Sequence, residues 1–450
     1  MTIEVSLRKR AAAVTFIACV AAVSALLARQ ILFNFIVFSL SDSRMPISAG
    51  ALETATQYFP SSPRLSARLA EARVSDPDRE VTAAAGEIER ATRLSPYDYR
   101  FRVVLALARE SQGDLAGAET SMRDAVSLAP SNIDVRWRLA NLLLRENKIG
   151  AALVEFRSAI TRDQSLMPVT LDLLWRLTGE DLGSLQSVVP ANPQASLSLA
   201  SFLLKQGRTQ EAVSIFEKID HRALAGPGSS DFIDVLISKG ELGLAKRLWV
   251  GLVAGEPTVA STGDLPTVWN AGFEMDQISG LGQFDWRIGE SSYAAIGIAA
   301  GTARGGSRSL RIDFSGRDTT RLDGEISQRV VLVAGKRYRL EYFVKTQGLV
   351  TTEGPRVTLR CDRDPAWTPA GAAIAAGNAD WAKMQFDFVA PRRLAAAAPL
   401  VNAQGNLPRP PSSQETVAVT VTVVRTPRFS YDEPMRGTIW LDDFRIFAID

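Results

Sequence analysis

SPYDYRFRVVLALARESQGDLAGAETSMRDAVSL (residues 95–128) is followed directly by APSNIDVRWRLANLLLRENKIGAALVEFRSAITR (residues 129–162), and the two stretches match at a shift of 34 residues. The same residue types recur at the same offsets: Pro96 and Pro130, Leu105 and Leu139, Ala106 and Ala140, Ala118 and Ala152, Met122 and Phe156, Ala125 and Ala159. Small residues at fixed offsets let two helices approach closely, and the large residue fills the groove to the next pair. Because one pair cannot bury its apolar face alone, the pattern predicts a stack of helical pairs.

The pattern extends in both directions from this core, over residues 62–256. Upstream, Ala91 lies 34 residues before Ala125. Downstream, a third unit and a degenerate fourth one place the expected residues at the same offsets: Leu199, Ala200, Gly207, Ala212 and Phe216, then Gly240, Ala245 and Trp249. Residues 165–192 interrupt the pattern.

This period resembles that of the tetratricopeptide repeat (TPR) family, over about four to five units. Arg102 and Arg136 depart from the family pattern, since a Trp is common at that position. The resemblance implies an all-α solenoid that binds a peptide or a partner protein on its concave side. The alternative is that the repeats only space a second domain from a membrane.

The N-terminus predicts a transmembrane helix. Arg8-Lys9-Arg10 precedes the uncharged run Ala11–Ala28, which spans roughly 27 Å at about 1.5 Å per helical residue, close to a hydrocarbon core of about 30 Å. The basic cluster places the N-terminus in the cytoplasm and the rest of the chain outside. Arg29 is expected at the outer end of the span, and Ile31–Leu40, too short to cross back, at the interface.

Three fates of this segment stay open, and all of them export the rest of the chain. They are an uncleaved anchor, a signal peptide cleaved after Val23-Ser24-Ala25, and a lipoprotein signal around Cys19. The apolar sequence that continues to Leu40 favours the anchor. We therefore expect a single-pass protein of a bacterial inner membrane, with residues 1–40 as stub and anchor, residues 41–61 as a tether or a first half-repeat, and the bulk of the chain in the periplasm.

Composition excludes several function classes. The net charge is +2 without a long basic run, which argues against nucleic acid as a partner. His221 is the only histidine; it is expected at a solvated helix end, and a histidine metal cluster is impossible. Arg304-Gly305-Gly306-Ser307 is glycine-rich but lacks the strand–helix context of a phosphate-binding loop. We therefore expect a protein that is not an enzyme.

Beyond a linker at residues 257–264, the sequence changes to short alternating runs. These predict strands within Ser309–Phe314, Tyr338–Val344, Arg356–Arg360, Met384–Val389, Val417–Val424 and Thr438–Phe447. Residues 370–380 and 392–416 are expected to be loops. Short strands with Gly-rich turns indicate that residues 265–450 form an antiparallel sandwich or jelly roll.

Several phrases in this region resemble the galactose-binding-like jelly roll of carbohydrate-binding modules, in the broad group of families 4, 9 and 22. They are Trp269–Glu274, Phe284–Trp286, Gly306–Leu310, Val333–Tyr338, Trp381–Phe388 and Ile439–Phe444. The resemblance implies an all-β fold and, in many members, glycan binding. The expected chain is thus multidomain: an N-terminal transmembrane helix, an all-α TPR solenoid and an all-β jelly-roll sandwich.

The same resemblance implies a structural Ca²⁺ ion that joins the first and last strands. The matching carboxylates are Glu274, Asp276, Asp442 and Asp443, and hard oxygen ligands suit this ion. The alternative is that Asp442 and Asp443 only cap the edge of the sheet.

Alternation suggests which residues face a glycan. If Tyr338 and its alternate neighbours point into the core, the outward set is Arg339, Glu341, Phe343, Arg360, Gln385 and Asp387. An aromatic ring can cover the C–H face of a sugar, while the polar groups hydrogen-bond its hydroxyls. Trp367 could add a second stacking surface, whereas Trp286 and Trp440 are expected in the core. A solvated polar face explains the same charges without a ligand.

Together these features predict a membrane-anchored, extracytoplasmic adaptor. Its repeats would bind a protein partner and its β domain a polysaccharide, in surface polysaccharide assembly or export. The alternatives are a protein-interaction scaffold that binds no glycan, and a glycan-processing enzyme.

Overall fold

The computed structural model of the chain describes residues 2–42, 48–74, 81–224, 227–255, 266–316, 320–392, 415–429 and 434–449. It divides into two compact units, Met1–Pro190 and Ala191–Asp450. The division falls inside the helical region, so the last helices share a unit with the β domain. The linker expected at residues 257–264 lies outside the described residues.

Helices make up the chain as far as Ala254. They are α1 (Thr2–Asp42), α2 (Ala49–Tyr58), α3 (Pro63–Val74), α4 (Val81–Leu94), α5 (Tyr99–Ser111), α6 (Leu115–Leu128), α7 (Ile133–Arg145), α8 (Ile149–Arg162), α9 (Met167–Leu177), α10 (Leu182–Val188), α11 (Pro193–Lys205), α12 (Thr209–Phe216), α13 (Pro227–Ser238) and α14 (Leu242–Ala254). This order confirms the predicted all-α region, with α9 and α10 at the irregular stretch.

The turn inside each helical pair uses one backbone conformation. Gly113, Asn147, Gly207 and Gly240 have φ angles of 81°, 58°, 86° and 81°. This left-handed region is open to glycine and tolerated by asparagine, which is why these residue types recur there. The two helices of each pair are thus joined through the same local backbone conformation.

The small residues of the repeat lie where the sequence predicts them, on the second helix of each pair. Ala118, Ala152, Ala212 and Ala245 have no exposed surface. Phe156, Phe216 and Trp249, four residues later, are also fully buried. The residues that recur in the sequence are therefore the ones that pack between the helices.

His221 is buried, not solvated as expected. It follows α12 in a short 3₁₀ turn, His221–Leu224, that folds its ring to 5.6 Å from the ring of Phe216. Only 4% of the residue is exposed, and neither ring nitrogen has a hydrogen-bond partner among the described residues. Its position after the helix end, not in it, accounts for the difference.

The N-terminal helix is longer than predicted. Its stretch Ala12–Phe35 is apolar enough to cross a membrane and has no buried residues. The helix continues through Arg29 to Asp42, so the second apolar piece is not a separate interfacial segment. Instead, Phe33 packs edge-to-face on Phe59, with ring centroids 4.8 Å apart, and Phe38 lines a cavity beside α3.

The stretch expected as a tether, residues 41–61, contains a packed helix. Ser48 caps α2 by accepting a hydrogen bond from the backbone N–H of Ala51, and Leu52 and Ala55 are buried. The helix packs against α3. The helix Ala49–Tyr58 therefore packs on the solenoid, as the alternative of a first half-repeat expects.

The β domain contains nine described strands. They are β1 (Arg287–Ile288), β2 (Ala294–Ala300), β3 (Arg308–Ser315), β4 (Leu322–Val333), β5 (Arg337–Val350), β6 (Arg356–Arg360), β7 (Gly377–Val389), β8 (Thr416–Arg425) and β9 (Arg436–Ala448). A four-stranded sheet has the order β1-β4-β8-β6, and a five-stranded sheet has the order β2-β3-β9-β5-β7. All pairs are antiparallel, which confirms the predicted all-β class.

The inward faces of the two sheets form one core. Val419 and Val421 of β8 belong to the same cluster as Leu340 and Tyr342 of β5. The ring of Tyr342 stacks on that of Phe444 at 5.3 Å. The predicted strands all exist, but β7 begins at Gly377, inside the stretch expected to be a loop, and β2 and β4 were not predicted.

An aromatic cluster joins the last helix to the start of the β domain, within the unit Ala191–Asp450. Trp249 of α14 meets Trp269 and Phe284 edge-to-face, at 5.1 and 5.7 Å between ring centroids. Its indole N–H donates to the carbonyl oxygen of Leu281 at 2.7 Å. The fourth repeat thus uses its large residue to hold the β domain.

Lys246, one turn earlier on α14, is a buried cation at the same junction. Only 4% of the residue is exposed, and its ammonium donates to the carbonyl oxygens of Pro266 and Thr267 at 2.6 Å each. Burial lowers the pKa of Lys246 to about 8, because a low-dielectric site disfavours the charged form.

Candidate ligand-binding surfaces

The outward-facing side chains of the five-stranded sheet form its open face. As predicted, Tyr338, Leu340, Tyr342 and Val344 of β5 are buried, while Arg339, Glu341, Phe343 and Lys345 are partly exposed. On β7, Asp387 lies opposite Arg339 and Gln385 opposite Glu341. Five of the seven residues that the sequence predicts to face a glycan therefore lie on one face.

The charges of the open face are paired with one another. Arg339 donates to both carboxylate oxygens of Asp387, at 2.7 and 3.0 Å, and Lys383 lies 2.7 Å from Glu341. The hydrogen bond from Arg339 holds the pKa of Asp387 below its usual value. Paired side chains of this kind offer fixed donors and acceptors with little net charge.

The aromatic groups of this face differ from the prediction. The guanidinium of Arg304 lies over the ring of Phe343, 3.9 Å from its centroid, so that ring face is covered. Phe447 of β9, opposite Arg339, is 40% exposed and was not predicted as a site residue. Alternation from the buried Ile439 would place Phe447 inward, but a register shift of β9 opposite Glu341–Phe343 turns Phe447 outward.

Two predicted residues do not join the open face. Arg360 lies on β6 in the other sheet and pairs with Asp323, because alternation alone does not tell which sheet a strand enters. Trp367 packs on the core beside Phe388, at 6.0 Å between ring centroids. Its indole N–H donates to the carbonyl oxygen of Val389 at 3.0 Å.

The predicted calcium carboxylates surround the loop before β3. Both oxygens of Glu274 accept hydrogen bonds from Ser307, at 2.8 and 2.9 Å. Asp442 accepts from the backbone N–H groups of Arg304 and Gly305, at 2.8 and 3.3 Å. The backbone N–H groups of Arg308 and Ser307 lower the pKa of Glu274, whereas burial raises the pKa of Asp442.

These contacts do not fit a calcium ion. Asp443 pairs with Arg304 at 2.7 Å, and the exposed Asp276 pairs with Arg308 at 2.6 Å. Within the described ranges, no three His, Cys, Asp or Glu side chains are grouped to hold a metal ion. A Ca²⁺ ion needs about six to eight oxygen ligands, and at least one oxygen of each of these carboxylates already accepts from an arginine or a backbone N–H group. Hydrogen bonds and ion pairs tie this loop to the last strand.

A second surface lies in the unit Met1–Pro190, as a groove along the first helices of successive pairs. Its cavity of about 760 Å³ is lined from α2, α3, α5 and α7. Val103 and Leu107 of α5 line it while only partly buried. Tyr99 is fixed there by the side-chain amide of Asn132, which donates to its hydroxyl at 3.0 Å. This TPR groove combines apolar side chains with the exposed cations Arg100 and Arg138.

Comparisons with known proteins match the two regions separately. No curated protein sequence matches the chain. The solved structure described as "CBM4 structure and function" is 16% identical, with a TM-score of 0.25, over 40% of this chain and 99% of that one. The tandem carbohydrate-binding module (CBM22-1–CBM22-2) of Xyn10C from Paenibacillus barcinonensis is 17% identical, with a TM-score of 0.26, over 41% of this chain and 50% of that one.

The helical region is similar to a different set of known proteins. The type III secretion chaperone SycD of Yersinia enterocolitica, in complex with a peptide of the translocator YopD, is 18% identical, with a TM-score of 0.22, over 27% of this chain and 88% of that one. The sequence model of the Tetratricopeptide repeat family matches residues 78–133 and 103–166. Residues 78–166 of this chain therefore match the tetratricopeptide repeat family, and they precede a β-sandwich that is similar to carbohydrate-binding modules.

Proposed function

We propose that this chain is a membrane-anchored, extracytoplasmic adaptor for surface polysaccharide assembly or export in a bacterium. Its TPR groove binds a segment of a protein partner, and the open face of its five-stranded sheet binds a glycan. The observation that carries this proposal is the presence of two ligand-type surfaces on separate compact units, with an apolar helix ahead of them.

The protein partner is an extended peptide with apolar and acidic side chains. Val103 and Leu107 supply half-exposed apolar contacts, and Arg138 supplies a positive charge, whereas the charge of Arg100 is paired with Asp98. Peptides that lie in a groove between repeats derive specificity from such alternating apolar and charged positions. The first helices of the pairs carry all of these residues, which fits the side of the solenoid that tetratricopeptide repeats use.

The groove is tested with peptides selected on the full chain in detergent. Leu107→Glu should weaken binding by about ten-fold or more, since it places a charge among the apolar contacts. Val154→Glu is the matched control, because Val154 is 65% exposed on α8 and lies outside the groove. Equal loss in both variants would contradict a groove-bound peptide.

The glycan site centres on Phe447. Its exposed ring lies beside the Arg339–Asp387 pair. A ring flanked by fixed polar groups matches a pyranose, whose C–H face stacks while its hydroxyls bind the polar groups. Phe343 contributes less, because Arg304 covers its ring.

We would measure binding of the full chain to a panel of bacterial polysaccharides. Phe447→Ala and Arg339→Gln should each weaken binding by about ten-fold. Arg360→Gln is the control, because it makes the same change of arginine to glutamine in the other sheet. If no polysaccharide binds, the glycan role is wrong.

The second candidate function is a protein-interaction scaffold whose β domain binds no glycan. The mutual pairing of Arg339 with Asp387 and of Lys383 with Glu341 favours it, because a solvated face without a ligand satisfies its charges in the same way. It predicts a functional TPR groove and an inert open face. A glycan-processing enzyme, the third possibility, would require turnover that stops when one carboxylate is neutralised.

The membrane part of the proposal has its own test. We propose that the N-terminus is cytoplasmic and that the rest of the chain lies in the periplasm, because Arg8-Lys9-Arg10 precedes the apolar helix. Alkaline phosphatase fused after Asp450 should be active in intact cells, and the chain should stay in the membrane fraction in alkaline carbonate. A soluble, shortened periplasmic product would instead identify a cleaved signal peptide.

A further inference from the structure

A groove runs between the last two helices and the outer surface of the four-stranded sheet, inside the unit Ala191–Asp450. It consists of two cavities, of about 500 and 390 Å³, and both are lined by Arg329 of β4. Asp234 of α13 lines the first cavity and Leu242 of α14 the second. We call the two cavities together the Arg329 groove.

The groove contains arginines without partners. Arg329 is half-buried, whereas Arg287 and Arg363 are exposed and line the first and second cavity, respectively. Carboxylates line the same cavities, Asp234 and Asp285 in the first and Asp362 and Asp364 in the second. None of the three arginines forms an ion pair or a side-chain hydrogen bond with any residue that the structure describes. By contrast, Arg360, which shares the strand partner Thr420 with Arg329, is paired with Asp323. A guanidinium has five donors and stays charged, so a half-buried one without acceptors calls for an anion.

The first cavity also contains an acceptor without a donor. The amide nitrogen of Gln283 donates to the hydroxyl oxygen of Ser230 at 2.6 Å, which fixes the orientation of the amide. Its oxygen Oε1 is buried and receives no hydrogen bond within the described parts of the chain. A buried acceptor without a hydrogen bond costs free energy, so the cavity suits a ligand that supplies a hydroxyl or an N–H group.

Carboxylate and hydroxyl groups occur together in an acidic sugar. We propose that the Arg329 groove binds a uronic acid unit of a polysaccharide, with Arg329 contacting the carboxylate and Gln283 Oε1 accepting a sugar hydroxyl. Ser327 and Thr420 also line the first cavity, and their hydroxyl groups can hydrogen-bond the remaining hydroxyls of the sugar. A saccharide fits better than an acidic peptide, because this cavity is lined mainly by amides, hydroxyls and charged groups.

The inference deepens the proposed function, since it rests on a glycan-binding role and names the class of glycan. Its site is different from the open face, because β4 belongs to the other sheet. One β domain would then bind a polysaccharide on both outer surfaces. The helices α13 and α14 form part of the acidic-sugar site, which a β domain alone would lack.

The test uses the full chain in detergent and calorimetry with galacturonate, glucuronate and mannuronate oligosaccharides, each compared with its methyl ester. We expect one of the acids to bind and its neutral ester to bind at least about ten-fold more weakly. Arg329→Gln should weaken acid binding by about ten-fold or more, and Gln283→Leu should weaken it without changing its salt dependence. Arg360→Gln is the matched control and should bind normally.

The possible results separate this inference from the proposed function. Acid binding that is lost in Arg329→Gln but kept in Phe447→Ala supports the Arg329 groove and shows that the acid does not bind at the open face. The reverse pattern supports the open face and overturns the groove. Equal binding of acid and methyl ester also overturns it, as does binding of poly-glutamate in place of every oligosaccharide. Failure of all saccharides to bind overturns both sites.

Discussion

At the scale of single residues, Lys246 links the stability of the helix–sandwich junction to pH. Its pKa is lowered to about 8 in the folded chain, whereas an unfolded lysine keeps its proton to about pH 10.4. Between these values the unfolded state binds more protons, so the free energy of unfolding rises with pH. Below pH 8 both states are protonated and the contribution is constant.

We therefore predict a pH-dependent difference between the wild type and Lys246→Met. Relative to the variant, the free energy of unfolding of the wild type should rise by about 3 kcal/mol between pH 8 and pH 10.5. Near-UV circular dichroism of the tryptophan cluster, followed in denaturant at each pH, measures it. A difference that stays flat across this range would contradict the lowered pKa of Lys246.

The carboxylates near the last strand give a second residue-scale prediction. Because donors occupy Glu274, Asp442 and Asp443, neither calcium nor a chelator should change the melting temperature. Asp442→Ala should lower the free energy of unfolding by about 1–3 kcal/mol, since it leaves the backbone N–H groups of Arg304, Gly305 and Asp443 without their acceptor. A calcium-dependent rise in melting temperature that Asp442→Ala abolishes would show that the ion does bind.

At the scale of elements, an ion pair inside a repeat replaces the aromatic residue that the TPR pattern usually has. Arg136 of α7 lies 2.7 Å from Glu155 of α8, with side chains only 16% and 13% exposed. Arg102 pairs with Asp124 in the preceding repeat, at 3.4 Å. Each pair joins the first helix of a unit to the second.

Arg136→Ala should thus lower the free energy of unfolding by about 1–3 kcal/mol, since it leaves the partly buried carboxylate of Glu155 without its partner. Arg145→Ala on the same helix is the control: Arg145 is half exposed in its pair with Glu110, and exposed pairs contribute about 0–1 kcal/mol. Urea denaturation of Arg136→Ala, Glu155→Ala and the double variant measures the coupling between the two residues, and Arg145→Ala is measured alongside. A similar cost for Arg136→Ala and Arg145→Ala would argue against a structural role of the Arg136 pair.

Elements with strong patterns could be predicted from the sequence, and those with weak ones could not. The strand Arg356–Arg360 and the repeat helices follow from alternation and from the 34-residue period. Strand β2 is AAIGIAA, whose small residues give no clear polar–apolar alternation. Most residues in the first half of β7 are exposed, so the core imposes no pattern there.

The candidate site was predictable only in part, for a topological reason. Alternation along β5 correctly gave the outward set with Arg339 and Glu341. It could not show that Arg360 belongs to the opposite sheet, because strand order depends on how the chain crosses between sheets. The covering of Phe343 by Arg304, and the Arg329 groove, arise from contacts between residues that are distant in sequence.

At the scale of the whole molecule, the division at residue 190 suggests how the chain can be cut. Trp249 of α14 covers Trp269 and Phe284, and its neighbour Lys246 binds two carbonyl groups beyond the helices. A β domain without α14 would expose this aromatic surface. The helices α11–α14 are therefore part of its folding unit.

We predict that residues 191–450 fold as a monomer with a cooperative thermal transition. Residues 266–450 should be less stable by about 3–5 kcal/mol, the cost of losing a buried tryptophan, and should bind a hydrophobic dye. Differential scanning calorimetry and size-exclusion chromatography of both fragments measure this difference. Equal melting temperatures and equal monodispersity would mean that the helices add nothing.

The unbroken first helix has a mechanical consequence. At about 1.5 Å per residue, the 41 residues of α1 form a rod of about 60 Å. Near its C-terminal end, Phe33 packs on Phe59 just after α2, and the helix continues unbroken through Arg29. A partner that pulls on the solenoid therefore applies its load and its torque directly to this rod, and tilting of one end turns the other.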